Sequence, residues 1–97
     1  MSTALDTNTM TKLKVPSTFK VVLLNDDYTP MEFVIQILEE VFNKTPAQAY
    51  ELCMDVHKKG RGVAGIFSKE VAEQKVSDVT RIAKYHKHPL KTIAEEA

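Results

Sequence analysis

Residues 25–33 limit the possible folds most strongly, because an apolar stretch ends there and a helix-start signal follows at once. Residues 19–24 are short, apolar and rich in β-branched side chains, which is typical of a central strand that packs against another layer. Thr29 suits the N-cap of a helix, Pro30 its first position and Glu32 the third position of a capping box. The sequence therefore predicts a strand, a rigid acidic turn and a helix in direct succession.

Two further helices are predicted from their caps and from the spacing of apolar side chains. The first helix has an apolar stripe at helical spacing, made of Val34, Ile37, Leu38, Val41 and Phe42, over about three and a half turns. Thr45, Pro46 and Gln48 repeat the start signal for a second helix, which Gly60 ends. Ser68 is suited to cap a third.

The remaining apolar segments complete a small sheet. Residues 62–67 have the character of a second strand, and residues 90–93 that of a short edge strand after Pro89. The resulting order is βααβαβ. Because three strands cannot separate two layers of helix, we expect an α+β two-layer sandwich with a small antiparallel sheet and helices on one face.

Length and composition narrow the classes of function. The chain has 97 residues, which predicts one domain at residues 18–97 after a flexible, polar arm at residues 1–17. Thirteen basic and 13 acidic residues balance, so neither nucleic acid nor an anionic membrane is an expected partner. One cysteine and the lack of a long apolar run favour a cytoplasmic protein. No long apolar stripe is left for an interface, so we expect a monomer.

Three enzyme-like interpretations find little support in the residues. Cys53 and His57 lie on one helical face, but Cys53 belongs to the apolar stripe, where a thiol is usually inert. No ligand spacing of a known zinc or iron site is present. Such a site would have to use either Asp26, Asp27 and His57, or His86 and His88. The basic turn at residues 60–62 lacks the context of a phosphate loop. We therefore expect no catalysis, cofactor or metal.

The acidic turn and three later segments resemble the ClpS family of bacterial Clp protease adaptors. The segments are residues 25–34, 56–57, 72–75 and 88–90, and the resemblance extends from about Ser17 to the C-terminus. It implies the same βααβαβ order. It also implies a protein that recognises substrates by their first residue, the N-degron, and delivers them to the ClpA unfoldase for degradation by ClpAP.

The resemblance assigns roles to particular residues. Asn25, Asp27 and His57 would accept hydrogen bonds from the substrate α-ammonium, which requires a neutral imidazole and predicts weaker binding in acid. A pocket for a large hydrophobic first side chain (Leu, Phe, Tyr or Trp) would be lined by Met31, Val34, Cys53, Val56 and Leu90, with Asp26 and Thr29 at its polar rim. In the family, the position of Met31 acts as a gatekeeper against β-branched side chains. Glu70 and Lys75 would contact the unfoldase.

One position departs from the family pattern. Cys53 stands where close relatives commonly have methionine on the pocket floor, so we expect a deeper pocket that favours Phe, Tyr and Trp over Leu. The alternative to this whole interpretation is a docking module that does not recognise N-termini, comparable to the C-terminal domain of the ribosomal stalk protein. Such a module would not need Asp27.

Overall fold

A computed structural model describes residues 17–97, and its elements follow the predicted order βααβαβ. The elements are β1 (Thr18–Leu24), α1 (Met31–Glu40), α2 (Pro46–Lys59), β2 (Arg61–Ser68), α3 (Lys69–Tyr85) and β3 (Lys91–Glu96). Apart from Ser17, the arm predicted for residues 1–17 lies outside the described residues. No helix in the described part is long and apolar enough to cross a membrane.

The sheet has the order β2-β1-β3 and both pairings are antiparallel. The prediction that β1 is central and β3 is an edge strand is confirmed, although β3 begins and ends later than expected. Opposite β1, the partner of Val21 is Gly65 and the partner of Val22 is Val63, so Ala64 is an extra residue in a bulge. Ala64 is buried, so the bulge turns a small side chain into the core.

The main core lies between the sheet and the helices, as predicted for an α+β two-layer sandwich. Val21 and Leu23 alternate with Val22 along β1, and only the first two belong to the core cluster that the helices share. Helix α1 adds three side chains of its predicted stripe to that cluster, Val34, Ile37 and Leu38, and Phe42 joins them from the turn after the helix. The periodicity of the sequence therefore identified the buried face correctly.

The start of α1 differs from the prediction. The helix begins at Met31, Pro30 occupies the N-cap, and no side chain caps the helix. Thr29 is one residue too early to cap it, and its hydroxyl donates to the Asp26 carboxylate instead. A carboxylate is a stronger acceptor than a hydroxyl, which explains why Asp26, and not Thr29, organises this turn.

The end of α1 also comes earlier than expected, at Glu40, with Val41 as its C-cap. The Lys75 ammonium from α3 donates to the Val41 carbonyl oxygen at 2.7 Å. It thereby satisfies one of the carbonyl groups that the end of a helix leaves without an intrahelical partner. Asn43 then takes a left-handed conformation, with φ 55°, in the turn towards α2.

Both ends of α2 agree with the sequence. The Thr45 hydroxyl accepts from the Gln48 N–H, and the Gln48 side chain accepts from the Thr45 N–H, which completes a capping box. Gly60 ends the helix in a left-handed conformation with φ 88°, where a side chain would be strained. The length and position of α2 are therefore encoded locally.

We expect Thr45→Ala to lower the free energy of unfolding by about 1 kcal/mol, because the capping box loses its side-chain acceptor. Thr45→Ser is the matched control and should retain most of the stability. Urea unfolding followed by circular dichroism measures both. Equal stability of the alanine and wild-type proteins would show that the box contributes nothing.

Candidate functional site

The acidic turn between β1 and α1 (residues 25–30) is organised by one carboxylate. Asp26 Oδ1 accepts from the backbone N–H groups of Tyr28 and Thr29 at 2.8 and 2.7 Å. Its Oδ2 accepts from the Thr29 hydroxyl at 2.8 Å. Burial raises the pKa of Asp26, but the hydrogen bonds from Thr29 and Tyr28 and the charge of His88 outweigh it, and the net pKa is lowered. The turn is therefore held by an ionised Asp26.

A backbone hydrogen bond brings the end of α2 to the same place. The Asn25 N–H donates to the Gly60 carbonyl oxygen at 2.9 Å. Because Gly60 caps α2, this bond holds the last turn of the helix, which carries His57, beside the acidic turn. Residues more than thirty positions apart in the chain therefore meet at one point.

A cavity of about 220 Å³ opens between the acidic turn, α1 and α2; we call it the turn cavity. Its lining residues are Asn25, Asp26, Asp27, Thr29, Met31, Val34, Cys53, Val56 and His57. The volume is below the roughly 300–1,000 Å³ of sites that enclose drug-sized ligands. The space suits one large side chain rather than a longer segment.

The lining of the turn cavity is divided by polarity and by depth. Val34, Cys53 and Val56 are buried and belong to the core cluster, so they form the apolar interior of the cavity. Asn25, Asp27 and His57 are exposed and therefore lie nearer the solvent. Such a cavity presents hydrogen-bond acceptors near its mouth and apolar surface below them.

Cys53 faces the first turn of α1. Its sulfur lies 3.8 Å from the carbonyl oxygen of Met31, within reach of a weak S–H hydrogen bond. Burial raises the pKa of the Cys53 thiol, which keeps it protonated and disfavours a nucleophilic thiolate. Cys53 thus acts as a small apolar lining residue.

Leu90, predicted to line the same pocket, is not among the lining residues. Its side chain is 6 % exposed and belongs to the core cluster, immediately before β3 begins. On that side of α1, the Phe33 ring instead contacts His88, with ring centroids 4.5 Å apart. The assignment of Leu90 to the pocket wall therefore stays a prediction, and the structure describes it as part of the core cluster beside the cavity.

Glu70 and Lys75, predicted to contact a partner, have different surroundings. Glu70 is exposed in the first turn of α3. The Lys75 ammonium is half-buried, donates to Val41 and lies 6.0 and 5.8 Å from the ring centroids of Phe42 and Phe67. Lys75 therefore has a structural task in joining α3 to the end of α1.

A larger concavity of about 600 Å³, the α3 cavity, lies at the opposite end of β1. It is lined by Ser17, Phe19, Ser68, Lys69, Glu70 and Glu96. Despite its size it does not combine converging acceptors with a buried apolar interior, and we regard the turn cavity as the better binding site. The seven residues of β1 separate the two cavities by roughly 20 Å.

The described residues contain no group of three or more His, Cys, Asp or Glu side chains placed to hold a metal ion.

The sequence analysis placed Asp26 at the polar rim but missed its part in fixing the turn. The available signal was the spacing: an aspartate commonly accepts from backbone groups two and three positions later. No comparable sequence signal predicts the backbone hydrogen bond between Asn25 and Gly60, because it joins distant parts of the chain.

Comparison with known proteins agrees with this architecture. The family model for the ATP-dependent Clp protease adaptor protein ClpS matches residues 14–93. The chain is 55 % identical over 85 residues to the ClpS adapter of Bdellovibrio bacteriovorus, covering 88 % of this chain and 75 % of that protein. It is 50 % identical over 94 residues to the ClpS adapter of Roseobacter denitrificans, covering 97 % and 83 %.

A solved structure shares the fold. The structure of Agrobacterium tumefaciens ClpS2 bound to L-phenylalaninamide superimposes with a TM-score of 0.83 at 35 % identity, covering 86 % of this chain and 100 % of that one. Fold and sequence thus define a protease adaptor of the βααβαβ type. The chain belongs to the ClpS family of adaptors for the Clp protease.

We expect Asp26→Ala to lower the free energy of unfolding by about 2 kcal/mol at neutral pH, because the turn loses three hydrogen bonds to a carboxylate. The pKa of Asp26 is lowered in the folded protein, so its contribution is full well above the ordinary value of 3.8 and is lost as the pH falls through the lowered value. Urea unfolding across the acid range measures the difference between variant and wild type.

Asp55→Ala is the matched control, since Asp55 is exposed and pairs only with Lys59 at 4.0 Å. It should change stability little at any pH. An Asp26→Ala penalty that stays constant into strong acid would contradict the role of the ionised carboxylate.

Proposed function

We propose that this protein is an adaptor that binds the N-terminal residue of its substrates in the turn cavity and delivers them to the ClpA unfoldase for degradation by ClpAP. The observation that carries the proposal is the lining of the cavity, where Asn25, Asp27 and His57 stand near the mouth above a buried apolar interior. This division matches the two chemical parts of an N-terminal residue.

The polar part of the site suits a free α-ammonium. An ammonium has three N–H donors and a positive charge, whereas an internal peptide group has one donor and no charge. Three acceptors from two segments of the chain line the mouth of the cavity. They are the Asp27 carboxylate, the Asn25 amide oxygen and a neutral His57 nitrogen. Charge-assisted hydrogen bonds contribute roughly 1.5–3 kcal/mol each, so the amine is recognised by both its charge and its donor count.

The apolar part of the site suits a large hydrophobic first side chain. Met31, Val34, Cys53 and Val56 line the cavity, and burying a Leu or Phe side chain contributes about 1.5–3 kcal/mol. Association costs must be subtracted from the sum of both parts. The affinity is therefore expected near the micromolar range or somewhat tighter, and neither the amine nor the side chain suffices alone.

The ligand of the related structure supports this assignment. Agrobacterium tumefaciens ClpS2 is bound to L-phenylalaninamide, a small molecule with a free α-amine, a benzyl side chain and an amide in place of the next peptide bond. Such a molecule has the chemistry of the first residue of a protein that begins with phenylalanine. The ligand class proposed for the turn cavity is the same.

Delivery to ClpA requires a second surface that stays free when substrate is bound. Glu70 is exposed at the α3 cavity, at the other end of β1 from the turn cavity. We assign the unfoldase contact to Glu70 directly. Lys75 acts on this surface through its bond to Val41, which fixes α3 against α1. In this scheme the adaptor binds both partners at once, as a monomer and without catalysis.

The amine dependence is tested by fluorescence anisotropy with two otherwise identical peptides that begin with Phe, one of them N-acetylated. Acetylation removes the charge and two donors, so we expect binding to weaken by at least about tenfold. Asp27→Ala should weaken binding of the free peptide by about tenfold, and Asp55→Ala should leave it unchanged. Equal binding of both peptides would favour the alternative, a docking module that ignores N-termini and does not need Asp27.

The role of Cys53 is tested by ranking peptides that begin with Phe, Tyr, Trp and Leu. The small Cys53 side chain leaves depth for an aromatic ring, so wild-type protein is expected to prefer the aromatic peptides over Leu. Cys53→Met fills that depth and should reduce the preference, by about threefold or more in the Phe-to-Leu affinity ratio. An unchanged ranking would remove Cys53 from the pocket floor, while the amine dependence would still stand.

A further inference from the structure

Helix geometry places further apolar side chains beyond the turn cavity, along the groove where α1 packs against α2. The two helices run antiparallel, since α1 begins at the acidic turn and α2 ends there. The contact between the Met31 carbonyl and the Cys53 sulfur shows which residues of the two helices lie opposite each other. One turn further along, Ile35 follows Met31 and Tyr50 precedes Cys53, so both lie at the next level of the groove.

The side of α2 that carries Tyr50 also follows from helix geometry. Tyr50, Cys53 and His57 are spaced at i, i+3 and i+7, which places them on one strip of the helix. Gly62 of β2 lies against Val56 and Leu52, which are on another side of α2. The strip with Tyr50 therefore faces the solvent edge of the groove beside α1.

The side chains at this level present apolar surface to the solvent. Met31 is 40 % exposed and Tyr50 is 53 % exposed, and Ile35 is only partly buried. Together these three residues, which we call the α1–α2 groove, extend the apolar surface of the turn cavity by one helical turn. Met31 belongs to both surfaces, so they are continuous.

We propose that the α1–α2 groove binds the side chain of the second residue of the substrate, with Tyr50 as the residue that sets a preference for large apolar side chains there. The inference rests on the proposed function. Successive Cα atoms of a peptide are about 3.8 Å apart and a helical turn rises about 5.4 Å, so the second residue is the one within reach of this level. The phenol ring of Tyr50 offers a large contact area, and a tyrosine side chain loses little conformational entropy when it is ordered by a ligand.

The test uses four N-degron peptides in an anisotropy assay. All begin with Phe, the second residue is Leu or Ala, and each is made with a free or an acetylated amine. With wild-type protein we expect the free Phe-Leu peptide to bind about three- to tenfold more tightly than the free Phe-Ala peptide. With Tyr50→Ala the ratio of the Phe-Leu to the Phe-Ala affinity should fall to about one.

Two variants make the result specific. Tyr50→Phe retains the ring and should keep the preference for Leu. Tyr85→Ala removes a still more exposed tyrosine at the end of α3, outside the groove, and should also keep the preference for Leu. Circular dichroism checks that each variant is folded.

The outcomes separate this inference from the function on which it rests. If amine-dependent binding is seen but the Leu-to-Ala ratio is one in wild type, or survives Tyr50→Ala, the groove does not bind the second residue. If the acetylated and free peptides bind alike, the N-terminal pocket itself is refuted and this inference with it.

Discussion

The carboxylate of Asp26 is the interaction on which the site depends. It accepts two backbone N–H groups and one hydroxyl, and so closes the turn that ends β1 and begins α1. The adjacent residue, Asp27, is thereby left free of the turn and available at the mouth of the cavity. Two neighbouring aspartates thus have separate tasks, one structural and one at the surface where a ligand would bind.

The second requirement is that a distant helix ends at this turn. The bond from the Asn25 N–H to the Gly60 carbonyl holds the end of α2 against the end of β1. Gly60 makes this possible, because its left-handed conformation stops the helix and directs the chain into β2. His57 and Cys53 then share a cavity with Met31 and Asp27, although no local sequence signal connects the two segments.

Local signals in the sequence predicted most of the fold. They failed where tertiary contacts determine the end of a helix or the surroundings of a side chain. The capping box at Thr45 and the stop at Gly60 depend on neighbours in the chain, and both were correct. The cap expected at Thr29 was wrong because the helix begins one residue later, with Pro30 at the N-cap, and the Thr29 hydroxyl donates to Asp26 within the turn. The surroundings of Lys75 and Leu90 also depend on packing between elements, because the ammonium of Lys75 binds Val41 and the side chain of Leu90 lies in the core cluster.

In the proposed function, the polar mouth and the apolar interior of the turn cavity contribute differently to affinity and to specificity. In the proposed function, exposed acceptors such as Asp27 and His57 would exchange hydrogen bonds with water for charge-assisted hydrogen bonds with an ammonium, so they would add to affinity only when a free amine is present. The buried interior around Val34 and Val56 gains from every apolar atom that leaves water. A ligand without an ammonium, however, would leave a carboxylate and two further acceptors partly desolvated and unpaired, which is costly. In the proposed function, the apolar interior would therefore add affinity for any large apolar side chain, and the polar mouth would reject chains that lack a free amine.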